Sequence, residues 1–207
     1  MKHLVAKPLI VLCGLSGSGK TFNSKILEQR LQNYVRVGPG LLREQLQISN
    51  YSRKDTPKLL AKVIELIEEN TKKNVGSIVD ANLKTVDIRQ FFYDTAKELG
   101  IDIILVETSC SPGTVKRRMQ LREQTSAAEN PKDFTVYLEQ QKLWQDTDLD
   151  LQLGYNHLSL LRFDTEKNSC QIVRKNESVS AFMKEIVAIL LNQERTEKID
   201  NSFFQKL

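Results

Sequence analysis

Cysteine and histidine are scarce in this sequence. Its 207 residues include three cysteines, none of them in a C-x-x-C pair, and two histidines. Zinc sites draw on several such ligands at close spacing, so a zinc site is not expected. An odd and sparse set of thiols fits a reducing compartment, in which cysteines pack as small hydrophobic side chains.

Long apolar runs and a strong charge of one sign are missing as well. Because no stretch approaches the ~18 apolar residues of a membrane-spanning helix, we expect a cytoplasmic protein without a membrane partner. The net charge is only +4. Dedicated nucleic-acid binders are usually more basic, with clustered charges, so this charge permits a nucleic-acid partner without arguing for one.

Segments typical of strands and helices alternate along the chain. Short apolar runs predict five strands, at Leu9–Cys13, Tyr34–Val37, Gly76–Val79, Ile101–Glu107 and Leu158–Phe163. Cys170–Arg174 can pair with the last of these strands as a hairpin. Helical spacing predicts helices at Thr21–Gln32, Leu41–Leu46, Lys58–Lys72, Val86–Leu99, Pro112–Arg122, Phe134–Gln145 and Ser178–Leu191. The alternation predicts the α/β class, with a five-stranded, mainly parallel sheet flanked by helices.

One segment satisfies the phosphate-loop pattern G-x-x-x-x-G-K-[ST] completely. It lies between a buried strand and an amphipathic helix and consists of Gly14, Leu15, Ser16, Gly17, Ser18, Gly19, Lys20 and Thr21. Its glycines let backbone N–H groups turn inward around phosphates, next to the positive end of the helix dipole. The segment therefore predicts a P-loop NTPase fold and a binding site for a nucleoside triphosphate.

Two side chains of this loop have expected roles. Lys20 would reach the β- and γ-phosphates, and the Thr21 hydroxyl would ligate Mg²⁺. The expected ligands are Mg²⁺ and ATP as phosphate donor, although no readable motif separates ATP from GTP. The N-K-x-D motif of GTP-binding switches does not occur, and the chain is short for a motor ATPase domain.

A basic segment follows the fourth predicted strand and contains Lys116, Arg117, Arg118 and Arg122. Arg118 and Arg122 are i, i+4 neighbours, so both can project from one side of a helix. Two guanidinium groups on one face suit the charge of a transferring phosphoryl group, which makes both arginines candidate catalytic residues. A solvated basic helix face is the alternative.

In the order of its motifs the sequence resembles the small P-loop kinases that include the 5′-hydroxyl polynucleotide kinase domain and the zeta-toxin-like kinases. The matching pieces are the phosphate loop, Gly40-Leu41-Leu42-Arg43, Ile78–Leu83, the Arg118/Arg122 lid and a compatible last strand at Leu160–Thr165. Arg89 also falls where these kinases tend to have an arginine. The resemblance implies an ATP-dependent phosphotransferase, with a 5′-hydroxyl polynucleotide or nucleotide as the favoured acceptor.

The resemblance also implies residues for the acceptor side. Arg43 would grip an acceptor phosphate, and Asn82 would bind the acceptor or cap the next segment. These kinases place a catalytic Asp three residues before the arginine, and here Gly40 stands at that position. Asp80 could act as the base instead, or it could orient Arg43 or close a turn. Glu44 is a further possible substitute.

We expect one kinase domain over residues 1–192, with a lid at about 112–145, and a polar tail over 193–207. Within the lid, Glu123–Asp133 is expected to move during the reaction. Tyr51–Lys54 either extends the acceptor anion site or is an exposed loop. Two other functions stay open: a small-molecule kinase for a sugar nucleotide, nucleoside or antibiotic, and a nucleotide-binding module whose acceptor chemistry was lost with Gly40. The sequence indicates neither an oligomeric state nor a protein partner.

Overall fold

The computed structural model describes residues 6–45, 56–124 and 133–192. Three predicted features lie wholly or mostly outside the described residues: the loop Tyr51–Lys54, the lid segment Glu123–Asp133 and the tail at 193–207. The side chains of Glu44 and Arg122 are outside the description too. None of the described helices has the length and apolar character that crossing a membrane requires.

Six strands form one sheet in the described part of the chain. They are β1 (Leu9–Cys13), β2 (Tyr34–Val37), β3 (Gly76–Asp80), β4 (Ile103–Ser109), β5 (Leu158–Asp164) and β6 (Ser169–Arg174). Their order in the sheet is β2-β3-β1-β4-β5-β6. The first five strands run parallel, and β6 pairs antiparallel with β5. The predicted mainly parallel α/β fold is confirmed, and the hairpin adds β6 to the five predicted strands.

Helices connect the strands. They are α1 (Lys20–Arg30), α2 (Pro39–Gln45), α3 (Thr56–Lys72), α4 (Val86–Glu98), α5 (Pro112–Gln124), α6 (Phe134–Lys142), α7 (Asp148–Leu151) and α8 (Ser180–Leu191). The helix predicted up to Gln145 ends earlier, at Lys142, and α7 was not predicted. The chain leaves the helix there because the Gln145 N–H donates to the Lys84 carbonyl oxygen at 2.8 Å and its side-chain oxygen accepts the Val86 N–H at 2.7 Å.

Apolar side chains cover both faces of the sheet. The layer formed with α3 and α4 includes Val11, Leu105 and Phe92, and the layer formed with α1 and α8 includes Leu12 and Met183. No residue of β1 is more than 1% exposed, because this strand has a neighbour on each side and helices on both faces. The neighbouring strands and the helices therefore fix the carboxyl end of β1, where the phosphate loop begins.

The helices α5 and α6 have a small core of their own. Val115, Met119 and Tyr137 are buried in it, and Leu15 of the phosphate loop packs against them. The two helices, which correspond to the predicted lid, therefore rest directly on the phosphate loop.

Candidate nucleotide-binding site

The phosphate loop leaves β1 and enters α1 at Lys20. Its three glycines have backbone angles that L-residues rarely adopt, with φ of 141° at Gly14, 83° at Gly17 and 98° at Gly19. Gly19 is the N-cap of α1, which is 11 residues long. The loop therefore meets the positive end of a helix of three turns, an arrangement that favours bound anions.

The lid helix α5 approaches the loop closely at Gly17. A Cβ atom added to Gly17 would lie 2.7 Å from Cγ1 of Val115, which is closer than real Cβ atoms come to another heavy atom. Glycine at this position thus serves two purposes, a positive φ and room for the lid. One turn further along α5, Arg118 donates from Nη1 to the Gly17 carbonyl oxygen at 3.1 Å.

Arg118 also joins the phosphate loop to the turn between β5 and β6. Its Nη1 donates to Oγ1 of Thr165 at 2.9 Å, and the Thr165 hydroxyl lies 2.9 Å from the Ser18 carbonyl oxygen. The predicted lid arginine is therefore at the phosphate loop. Arg122 lies one turn further along α5, and its joint orientation with Arg118 stays a prediction.

Lys20 folds back over the loop. The residue is only 7% exposed, and its Nζ donates to the Leu15 carbonyl oxygen at 3.0 Å. An ammonium group has three donor protons, so it can hold a loop carbonyl and phosphate oxygens at the same time. The position fits the expected role of Lys20 at the β- and γ-phosphates.

Asp80 lies beside the first turns of α1, at the carboxyl end of β3. The Ser24 hydroxyl is 3.2 Å from Oδ2 of Asp80 and 3.0 Å from the Thr21 carbonyl oxygen. Because β3 is the direct neighbour of β1, the sheet brings this carboxylate to the loop. Asp80 is thus close to Thr21, the expected metal ligand.

Asn82 also reaches the phosphate loop. Its Nδ2 donates to Oγ of Ser16 at 3.3 Å. The N-cap of the following helix α4 is Thr85, so the capping role considered for Asn82 does not hold. The structure therefore places the Asn82 side chain at the phosphate loop, and its role in acceptor binding stays a prediction.

Two cysteines lie near the loop. Burial raises the pKa of the Cys13 thiol, and the nearby carboxylate of Glu107 raises it further. Burial also raises the pKa of Cys110, although the guanidinium of Arg118 opposes this shift. Both thiols are therefore protonated at neutral pH, and neither is activated as a nucleophile.

A family model described as "AAA domain" matches residues 9–145, from the start of β1 through the lid helices α5 and α6. The chain belongs to this AAA domain family. No curated protein matches the sequence.

Several solved structures are similar in fold to this AAA domain. The APS kinase CysC of Mycobacterium tuberculosis, in complex with AMPPNP and APS, aligns with a TM-score of 0.57 and 17% identity, over 90% of this chain and 98% of that chain. A chain of the Pnkp1/Rnl/Hen1 RNA repair complex aligns with a TM-score of 0.60 and 20% identity, over 72% of this chain and 47% of that chain. A chain of the PezAT toxin-antitoxin system of Streptococcus pneumoniae aligns with a TM-score of 0.52 and 19% identity, over 91% and 87%. The predicted P-loop NTPase fold and the resemblance to small P-loop kinases are confirmed.

Among the described residues of the AAA domain, room is left for a side chain where the resemblance would place a catalytic aspartate. Gly40 is exposed in α2, and a Cβ atom added there would meet no atom of the described residues within 4 Å. Arg43, half-buried, lies three residues further along the same helix, so side chains at both positions would share one side of α2. A carboxylate at position 40 would fit without a steric clash.

Two contacts of the AAA domain were not predicted from the sequence. The side-chain oxygen of Gln140 in α6 accepts the N–H of Ser16 at 2.9 Å. Arg89 is fully buried and pairs with Asp150 at 2.7 Å, so it is an internal anchor and does not face the site. The partners are 124 and 61 positions apart, and no local pattern marks either pair.

Proposed function

We propose that this AAA domain is an ATP-dependent phosphotransferase that moves the γ-phosphate to a hydroxyl group. The observation that carries the proposal is the covered phosphate loop: Lys20 is folded onto it, and the lid is seated against Gly17. A lid over the loop keeps water away from the γ-phosphate, which favours transfer to an acceptor over hydrolysis.

The residues at the start of α1 fit Mg²⁺. This ion usually takes one or two protein oxygen ligands and completes its shell with phosphate oxygens and water. The Thr21 hydroxyl would be one ligand, and the Asp80 carboxylate would bind the ion or its water. Bound Mg²⁺ neutralises charge on the phosphate oxygens. The contact of Asp80 with Ser24, at 3.2 Å, favours this metal-side role over the role of a general base.

In this proposal, three side chains stabilise the negative charge of the phosphates and of the transferring phosphoryl group. Lys20 holds the β- and γ-phosphates, and Arg118 and Arg122 stabilise the charge of the transferring phosphoryl group from the lid. The N–H groups of Ser16 and Ser18 donate to Gln140 and Leu15, so other backbone N–H groups of Gly14–Thr21 would bind the remaining phosphate oxygens. Arg118 supports this assignment because it already contacts the Gly17 carbonyl oxygen.

The favoured acceptor is a 5′-hydroxyl polynucleotide or nucleotide. Arg43 would hold an acceptor phosphate, and Asn82, which contacts Ser16, would bind the acceptor next to the γ-phosphate. The fold likeness to a chain of an RNA repair complex supports a nucleic-acid acceptor. The likeness to an APS kinase supports the alternative, a small-molecule acceptor.

A labelling experiment tests the proposal. We expect that the protein, given γ-labelled ATP and Mg²⁺, transfers label to 5′-hydroxyl RNA or DNA oligonucleotides but not to oligonucleotides that already have a 5′-phosphate. Nucleosides and sugar nucleotides in the same panel test the small-molecule alternative. Absence of label on every acceptor, together with ATP binding that Lys20→Ala weakens, would refute the phosphotransferase.

Gly40 favours a second candidate function, a nucleotide-binding module whose bound nucleotide controls a partner. A glycine has no proton-accepting group, and general-base assistance contributes ~10²–10⁴-fold to rates. A module of this kind would bind ATP at the same loop without transferring its phosphate.

Gly40→Asp separates the two functions. We expect this substitution to raise acceptor labelling by at least ~10-fold, because it restores a carboxylate three residues before Arg43 in open space. Gly40→Asn is the matched control, since it has nearly the same shape and cannot take up a proton at neutral pH. If turnover is unchanged in Gly40→Asp, or rises equally in Gly40→Asn, position 40 is not the site of a lost general base.

A further inference from the structure

Gln140 is a buried polar residue of the lid helix α6 that contacts the phosphate loop directly. It is 7% exposed, and its side-chain oxygen accepts the backbone N–H of Ser16 at 2.9 Å. Ser16 is 4% exposed, so this hydrogen bond is shielded from water. A buried N–H without an acceptor is costly, which makes the lid glutamine the group that satisfies this loop amide.

The same peptide unit also contacts Lys20. The Leu15 carbonyl oxygen, on the other side of the Leu15–Ser16 peptide bond, accepts from Lys20 Nζ at 3.0 Å. Because a peptide unit is planar and trans, its C=O and N–H point in opposite directions. A side chain that holds the N–H therefore also fixes the direction of the C=O. Gln140 holds one end of this peptide unit, and Lys20 is bound at the other.

The lid holds this part of the loop by its apolar side as well. The Leu15 side chain packs against Val115, Met119 and Tyr137, which form the core between α5 and α6. Docking of the lid thus engages both the side chain of Leu15 and the amide of Ser16. When α6 lifts from the loop, both contacts are lost together. The Leu15 carbonyl oxygen still accepts the Ser18 N–H, at 3.1 Å, but the peptide unit is then less firmly oriented because its own N–H has lost the Gln140 acceptor.

We propose that Gln140 is a positioning residue that couples lid closure to the orientation of Lys20. With the lid docked, Gln140 holds the Leu15–Ser16 peptide so that the Leu15 carbonyl oxygen directs the Lys20 ammonium toward the phosphates. With the lid lifted, the ammonium loses this support and grips phosphate less well. The proposal rests on the proposed function only for ATP as the ligand of the loop, and it does not require an acceptor.

A double-mutant cycle on ATP binding tests the coupling. Gln140→Met keeps the length and burial of the side chain and removes the hydrogen-bond acceptor. We expect it to weaken Mg²⁺–ATP binding by ~10-fold in the natural protein and by less than ~2-fold when Lys20 is already methionine. Gln141→Met, at the exposed neighbouring position of α6, is the matched control and should leave affinity unchanged in both backgrounds.

Two outcomes would overturn the proposal. Equal losses of affinity with and without the Lys20 ammonium would show that Gln140 supports the loop independently of Lys20. An unchanged affinity in Gln140→Met would show that the contact of Gln140 with Ser16 does not contribute to ATP binding. Amide hydrogen exchange gives a reading without nucleotide: the Ser16 amide should exchange ~10-fold faster in Gln140→Met. The double-mutant cycle can be interpreted even if the protein labels no acceptor, because it measures only ATP binding.

Discussion

Lys20→Met is expected to lower phosphoryl transfer by ~10²–10³-fold, the loss measured when one donor to a developing charge is removed from an enzyme. Methionine keeps most of the aliphatic length of lysine and removes the ammonium group. The effect is large because Lys20 is 7% exposed, and a charge at such a site is screened much less than in water.

The measurement is the initial rate of label transfer from γ-labelled ATP, together with a thermal unfolding curve for each variant. Lys25 is the matched control, since it is a lysine of the same helix with an exposed side chain. Lys25→Met should transfer phosphate at the natural rate. If Lys20→Met keeps more than about a tenth of the natural rate while folded, Lys20 does not stabilise the transferring phosphoryl group.

Arg89→Met is expected to destabilise the protein by ~3–5 kcal/mol, because it leaves a buried carboxylate without its partner. Arg89 and Asp150 are both fully buried, with Nε and Oδ2 2.7 Å apart. Burial raises the pKa of Asp150, and the Arg89 ion pair opposes that shift, so the carboxylate depends on this guanidinium. Arg89 also donates to the carbonyl oxygens of Leu83 at 3.0 Å and Gln145 at 2.9 Å.

Urea unfolding measures the loss, and the melting temperature should fall by roughly 6–20 °C for a domain of this size. The double variant Arg89→Met with Asp150→Asn should recover part of the stability, since it removes the unpaired charge. Lys62→Ala breaks an ion pair with Glu65 whose side chains are 50% and 58% exposed, and stability should stay nearly unchanged. An equally small effect of Arg89→Met would mean that the buried pair does not anchor the chain between the lid and α7.

Much of the ATP site was predictable because most of its functional residues are neighbours in the sequence. The eight residues from Gly14 to Thr21 lead from the end of β1 into the first turn of α1. They were predictable because the glycines, the lysine and the preceding apolar strand lie within a few positions of one another. Asp80 was predicted at the end of a strand, and the parallel order of the sheet then brings it to α1. Its contact with Ser24 could not be predicted, because it depends on which strands are neighbours.

The end of the lid helix shows the limit of periodicity. Apolar spacing carried the prediction to Gln145, and the structure ends α6 at Lys142. The cause is a pair of hydrogen bonds that join Gln145 to Lys84 and Val86, at the start of α4. The bond to the Lys84 carbonyl oxygen takes the Gln145 N–H that a longer α6 would use. Arg89 is a similar case, because the resemblance marked only its place in the sequence, and packing shows that it is buried against Asp150.

The sequence by itself determined the phosphate loop, the alternation of strands and helices, and the kinase resemblance, because each depends on spacing within a short stretch of chain. Only the tertiary structure decided that the lid rests on Leu15, that Gln140 satisfies the Ser16 amide and that the described residues leave room for a side chain at Gly40. These features join residues far apart along the chain, and their geometry is set by the docking of helices on the sheet. The ATP side of the site could therefore largely be predicted from the sequence, whereas its contacts with the lid are visible only in the tertiary structure.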